Sequence, residues 1–401
     1  MNSTEQQVRD YPFSTPTALD LDPIYAHLTE HEPVSRVHMP YGGDAWLATG
    51  YHEVKSVLTD PRFSRQAVIG ADFPRTMPIR IEDAMLGIMD PPDHTRIRRL
   101  VATAFTARHI ERVRPYVQDT VDELLDRMIK EGQPADLVRT VAEDLPMTVT
   151  CELLGIPPED RNDQFRVWRD AILSIDAVPP EEVGAAMQSL MMSIIGMIGS
   201  RREQPTDDLV SALVRAHDDN DRLSEPELIN IIATLLIGGM GSTFSQIANF
   251  AYTLLSRPEL VDRLRTRPEI LPRALEELQR YTPLGASVGF PHIAKEDLEL
   301  GGVLIRAGEG VLLEVAAANR DPRVFDRPQD LDFTREPNPH LAFGFGMHHC
   351  VGAQLARIEL QVTFETLLRR FPGLRLAVPA QDVAWRSGGL TRCPKSLPVA
   401  W

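Results

Sequence analysis

Cysteine is scarce in this chain: Cys151, Cys350 and Cys393 are the only three among 401 residues. Three thiols without paired spacing build no disulfide framework, which fits a reducing compartment. Basic charge is also in deficit, with 42 Lys and Arg against 57 Asp and Glu and a formal net charge of -15. Phosphate binding needs a basic face, so a nucleic-acid partner is excluded as an expectation. Long apolar runs are missing too. The longest, from Leu228 to Met240, is interrupted by Asn230 and is short for crossing a bilayer. Residues 1–10 have neither a basic start nor an apolar core, so neither a signal peptide nor an anchor is expected. The expectation is a soluble, cytoplasmic protein with no membrane partner. No repeat, low-complexity run or linker breaks the chain, and its 32 prolines and 25 glycines are dispersed. One large domain spanning residues 1–401 is expected. No flavin or nicotinamide fingerprint occurs, so electrons for any redox chemistry must come from outside.

What is present is mostly helical periodicity. Residues 51–58, 107–128, 138–154, 163–173 and 180–198 read as amphipathic helices. Residues 259–264, 270–281 and 351–370 add three more. Ser224-Glu225-Pro226-Glu227 is a capping box with proline in the first turn, so a long helix should start there and run to about Leu255. Being apolar nearly all round, it should be buried. Residues 34–49, 298–310 and 310–315 read as strands and turns. Helices should outweigh strands about three to one.

The densest motif is Phe343-Gly344-Phe345-Gly346-Met347-His348-His349-Cys350-Val351-Gly352, followed by a helical run. Its glycines let the backbone fold tightly around a thiol and leave room for a flat cofactor to approach the sulfur. An inert buried Cys in a glycine loop is the bland alternative. A zinc site from His348, His349 and Cys350 is disfavoured, because adjacent ligands fit one tetrahedral ion poorly. The pattern F-G-x-G-x-H-x-C-x-G resembles the haem loop of the cytochrome P450 superfamily, and the order of motifs resembles that family along essentially the whole chain.

The resemblance implies a mainly α fold with small β-sheets, a triangular helical prism enclosing haem b. It implies Cys350 as the iron ligand, Phe343 and Gly344 beneath the ring, and His348 at a haem propionate. His94 and Arg98, four apart after Pro91-Pro92, match positions that also bind propionates. Glu277 and Arg280 match a structural E-x-x-R whose partner would be Arg335, a network that holds the Cys loop and has no catalytic role. Related bacterial sequences, notably actinobacterial natural-product enzymes, often carry an Arg where this chain has His292. His292 is therefore a candidate propionate ligand by position; a histidine can donate one hydrogen bond there but cannot make the bidentate, permanently charged contact of an arginine.

The long helix contains Gly238-Gly239-Met240-Gly241-Ser242-Thr243 where the family usually has small-Gly-x-acid-Thr. Gly238 and Gly239 suggest a local opening of the helix where dioxygen binds. Gly241 replaces the acid and Ser242 the threonine of the usual proton relay. Three accounts stay open. Ser242 or Thr243 with water suffices; the substrate contributes an O–H or N–H; or substrate radicals are coupled, as in joining the aromatic rings of flaviolin or tryptophan-containing diketopiperazines, in place of oxygen insertion. The favoured substrate is a polar, aromatic secondary metabolite. Conventional hydroxylation or epoxidation and a non-catalytic haem sensor are the rivals. The resemblance places a substrate pocket along residues 64–89, 187–195, 284–290 and 389–391, with Ile237 and Met240; its candidate residues include Gln66, Ser287, Val288 and Thr391. Arg96, Arg98, Arg99, Arg108, Arg112 and Arg114 form a basic segment suited to an acidic electron donor such as a ferredoxin served by its reductase.

Overall fold

The computed structural model describes residues 8–401 apart from Pro16, Ile79, Asp176, residues 219–222 and Ser287. Backbone contacts group the chain into two compact units, each discontinuous in sequence. The chain passes back and forth between them, which is why no linker composition marks a boundary.

The first unit comprises Met1–Ala84, Ile88–Asp90 and Glu276–Cys350. Its main feature is a six-stranded mixed sheet. In spatial order the strands are Arg9–Asp10, Val34–His38, Asp44–Ala48, Gly310–Leu313, His292–Ala294 and Phe63–Ser64. Val34 pairs with Ala48 and His38 with Asp44 across a hairpin whose turn includes Gly42 and Gly43, both at positive φ. Val37, Ala45, Leu47 and Leu312 from this sheet join Leu28 and Tyr25 of the Ile24–His31 helix in an apolar core. The hairpin Leu298–Leu300/Val303–Ile305 turns through Gly301-Gly302, at φ +57° and +82°, a pair of angles that favours glycine.

The second unit comprises Met85–Gly87, Pro91–Leu275 and Val351–Trp401. Its axis is the Glu225–Leu255 helix, starting at the expected box: Ser224 N–H donates to Glu227 Oε2 at 2.7 Å and Glu227 N–H to Ser224 Oγ at 3.4 Å. Asp144–Leu154, Gln164–Ile172 and Pro180–Glu203 pack against it. Both Pro180–Glu203 and Glu225–Leu255 are long and apolar enough to cross a membrane by length and composition; the second is mostly packed inside protein.

Two expected helices divide. Residues 107–128 form Ala107–Glu111 and Arg114–Glu131, because Pro115 in the first turn of the second segment has no N–H to continue the ladder. Residues 138–154 form a wide turn at Val138–Ala142 and a helix at Asp144–Leu154 that contains Pro146 in its first turn. The Leu209–Asp218 helix, apolar at Leu209, Val210, Leu213 and Val214, escaped the sequence reading.

Candidate functional site

The loop before Cys350 is closed by its own backbone. Cys350 N–H donates to the Phe343 carbonyl at 2.8 Å, and Gly344 N–H to the Leu341 carbonyl at 2.8 Å. Gly346 lies at φ +68°, and a Cβ there would stand 2.7 Å from the Leu58 carbonyl oxygen, so the loop seats against the end of the Tyr51–Thr59 helix only because that residue has no side chain. Cys350 is exposed while Cys151 and Cys393 are buried. Burial pushes both of those thiols up to about 12, leaving them inert. Among the described residues no group of three His, Cys, Asp or Glu side chains is assembled to hold a metal ion. One accessible sulfur at the end of a glycine cradle suits an iron held by a single protein thiolate, as in haem.

Glu277, fully buried, is the centre of a brace. It accepts from Arg280 Nε at 2.9 Å and Nη2 at 2.8 Å, from Arg335 Nε at 3.1 Å to both oxygens, from Asn338 Nδ2 at 3.1 Å and from Asp332 N–H at 2.9 Å. Arg280 in turn donates to the Asn319 carbonyl, and Asn319 Oδ1 accepts the Leu341 N–H at 2.7 Å, two residues before Phe343. The expected E-x-x-R network is therefore present, with Arg335 in it, and it reaches the Cys loop.

His292 is buried on the central sheet, 5% exposed. Burial first, then the charges of Arg65 and His348, hold its imidazole well below the ordinary histidine value, so it is neutral. Arg65 Nε donates to His292 Nε2 at 2.9 Å. Sequence reasoning missed Arg65 because no motif surrounds it; only strand pairing of Phe63–Ser64 with His292–Ala294 brings it there. In the second unit, His94 is 2% exposed and Arg98 is half-buried one turn further along the Asp93–Ala104 helix.

The Glu225–Leu255 helix is unbroken through its glycines, contrary to the expected opening at Gly238-Gly239. The helical assignment continues through both glycines, and Ser242 Oγ donates one turn back to the Gly238 carbonyl at 3.2 Å. Gly239 serves packing instead: a Cβ there would stand 2.4 Å from Thr150 Oγ1. Gly238 is exposed on one face, with Ile237 and Ser242 half-buried beside it, whereas Met240, Gly241 and Thr243 are buried. Of the two neighbouring hydroxyls, Ser242 is the one on the accessible stripe.

A cavity of about 530 Å³ lies in the second unit on the other side of this helix, lined by Gly241, Phe244, Leu173, Trp385, Arg386 and Thr391 among others. It brings Thr391 and Gly241 together but excludes Ser242. Thr391 Oγ1 is 2.9 Å from Ser245 Oγ. Val288, expected in the substrate pocket, packs in the first unit's apolar core at 5% exposure, and its N–H donates to Tyr11 Oη at 3.1 Å. Met240 is 2% exposed. Gln66 Oε1 accepts the Asp90 N–H at 3.1 Å, and Ser287 lies outside the described residues.

Comparison with known proteins agrees with this geometry. The family model described as Cytochrome P450 matches residues 266–382. The chain is 49% identical to mycinamicin IV hydroxylase/epoxidase of Micromonospora griseorubida, covering 99% of this chain and 100% of that protein. It is 50% identical to nocardicin C N-oxygenase of Nocardia uniformis subsp. tsuyamanensis, again over 99% and 100%. The crystal structure of HinD with NMFT and NO superposes with a TM-score of 0.95 at 48% identity, covering 98% of this chain and 100% of that one. A cytochrome P450 with biaryl coupling reactivity gives 0.93 at 46%, with the same coverage. Near 50% identity along the whole chain, with Cys350 presented by its glycine loop and Glu277 bracing that loop, the chain belongs to the cytochrome P450 family, haem b monooxygenases of secondary-metabolite biosynthesis.

Proposed function

We propose that the chain oxidises a polar, aromatic secondary metabolite, using dioxygen and two electrons from a ferredoxin-type donor, and that the substrate shares in proton delivery. The observation that carries this reading is at Gly241: the relay acid is absent, and Leu173 Cδ1 lies 2.2 Å from where a Cβ would begin. Haem thiolate, when bound, supplies the oxygen-activating chemistry; Cys350 would hold the iron. This chain contributes Ser242 as the accessible hydroxyl, able to hold or pass a proton at Oγ. A single weakly acidic hydroxyl is a poor proton source without a second donor, which a substrate O–H or N–H provides.

A second reading, oxidative coupling of aromatic rings, is favoured by the resemblance to a biaryl-coupling cytochrome P450. Oxygen insertion is supported by the hydroxylase/epoxidase and N-oxygenase relatives. Turnover with a surrogate ferredoxin, its reductase and isotopically labelled dioxygen separates them. Label in the product marks insertion; an unlabelled product of dimer mass marks coupling. NADPH consumption that stays unchanged with every phenolic or indolic substrate tested would leave a carrier or sensor as the better reading.

Electron delivery fits the basic segment once its internal pairs are removed. Arg96 binds Glu227 and Arg114 binds Glu111, which leaves Arg99, Arg108 and Arg112 exposed to face an acidic donor. Action in the cytoplasm, where such donors reside, is part of the proposal.

A further inference from the structure

We infer that Arg65 supplies the permanent positive charge for a haem propionate that His292 does not carry, and that His292 acts as its positioning residue. The proposal rests on the haem-thiolate reading. The His292 imidazole is neutral and its Nε2 is already engaged by Arg65 Nε at 2.9 Å, so this nitrogen has no proton to give an anion. The backbone that carries this guanidinium is pinned by one carboxylate, Asp90. Arg65 N–H donates to Asp90 Oδ1 at 3.1 Å, and Ser64, its neighbour, donates through Oγ to Asp90 Oδ2. The backbone is thus fixed, while the side chain is turned onto the sheet beside His292.

His348 of the Cys loop is close enough to His292 to act on it electrostatically, which puts Arg65, His292 and the haem loop in one neighbourhood of the first unit. Burial lowers the Arg65 guanidinium to about 10, still fully charged at neutral pH. A desolvated cation of this kind is stabilised by an anion with two acceptor oxygens, which a propionate offers in the fork geometry of arginine. The charge that related sequences place at the position of His292 is here moved across one strand pairing, from His292–Ala294 to the end of Phe63–Ser64.

The test is haem loss from the purified holoprotein to an excess of a haem-scavenging apoprotein, followed in the Soret band. R65Q should lose haem about tenfold faster than wild type, the value of one charge-assisted contact. The ferric/ferrous potential should fall with it, since a positive charge has been removed. R65Q/H292R, which restores the charge from the neighbouring strand, should return haem loss to within about twofold of wild type. R65K should lie between. Asp90→Asn removes the Asp90 charge but keeps an oxygen acceptor for the Arg65 N–H, so it should accelerate haem loss clearly less than R65Q does.

R65Q that keeps haem as wild type overturns the proposal. So does equal acceleration by R65Q and D90N, which would make Arg65 only the partner of Asp90. If R65Q does not accumulate folded, the double variant decides: folded R65Q/H292R that still loses haem about tenfold faster overturns the assignment. The thiolate-type ferrous-carbonyl band of wild type is read in parallel. Its absence would sink the haem-thiolate reading itself, whatever Arg65 does.

Discussion

Leu173 and Gly241 meet where the proton-relay acid of the family would stand: Leu173 Cδ1 lies 2.2 Å from the site of a Cβ on Gly241. A carboxylate cannot be added there without turning Leu173 aside and burying a charge. Gly241→Asp should therefore lower thermal stability, by about 1–3 kcal/mol from overpacking alone, and leave product per NADPH level or reduced. Gly241→Asp with Leu173→Ala relieves the overlap but still buries the charge, so stability should recover in part and coupling should not rise. Calorimetry and NADPH stoichiometry check both; improved coupling in either variant would show that the relay was merely incomplete.

The brace around Glu277 makes a second expectation. Arg280, 1% exposed, owes its tolerance of burial to this carboxylate and three backbone carbonyls. Glu277→Ala leaves that cation with carbonyls alone, a loss of about 3–5 kcal/mol. Because the brace reaches Leu341 through Asn319, the ferrous-carbonyl complex should also lose its thiolate-type band. A variant that melts early yet retains that band would separate fold support from loop support.

Much of this architecture was legible in the sequence. The capping box at Ser224, the glycine loop at Cys350 and the Glu277–Arg280 spacing are local signals, and each sits where it was read. Helix interruptions at Pro115 and Pro146 were hidden by continuous apolar periodicity, since burial patterns report faces and not hydrogen-bond ladders. Arg65 was illegible because its significance comes from non-local strand pairing. Val288 and Met240 show the converse limit: an apolar residue near a motif can equally pack in the core, and the structure buries both.

Glu359 on the Ala353–Arg370 helix gives a pH-dependent expectation. It is 2% exposed, its Oε1 has no hydrogen-bond partner among the described residues, and burial raises its carboxyl to about 8. The folded state keeps the proton, whereas the unfolded chain releases it near the ordinary glutamate value. Its contribution is thus fully favourable below about pH 4.5 and is lost as pH rises toward 8, by about 3 kcal/mol at pH 7. Glu359→Gln, which cannot ionise, should be more stable than wild type at pH 8, with the advantage fading toward pH 5. Denaturant melts across that window check it, and parallel curves would show that Glu359 does not titrate on unfolding.

Arg112 is exposed in the basic segment and has no ion pair among the described salt bridges. Arg112→Glu should slow reduction by an acidic ferredoxin about tenfold at low salt and flatten the ionic-strength dependence, leaving substrate binding unchanged. Stopped-flow reduction at two ionic strengths measures this. Unchanged kinetics at low salt would reduce the segment to a solvated helix face.

The two hydroxyls after Gly241 differ in exposure, so they should differ in function. Ser242 shares the accessible stripe with Gly238, while Thr243 is 5% exposed. Ser242→Ala should divert electrons to peroxide and lower product per NADPH about tenfold, within the range for loss of a positioned proton donor. Thr243→Ala should cost stability through lost packing and leave coupling near wild type. If the substrate supplies the second donor, an analogue with that O–H or N–H methylated should bind with the normal spin-state change yet turn over poorly in wild type. In Ser242→Ala the parent substrate should then retain the residual turnover and the analogue should have none. Methylated analogue oxidised at the parental rate and with equal coupling would remove the substrate from the relay, leaving Ser242 and water sufficient.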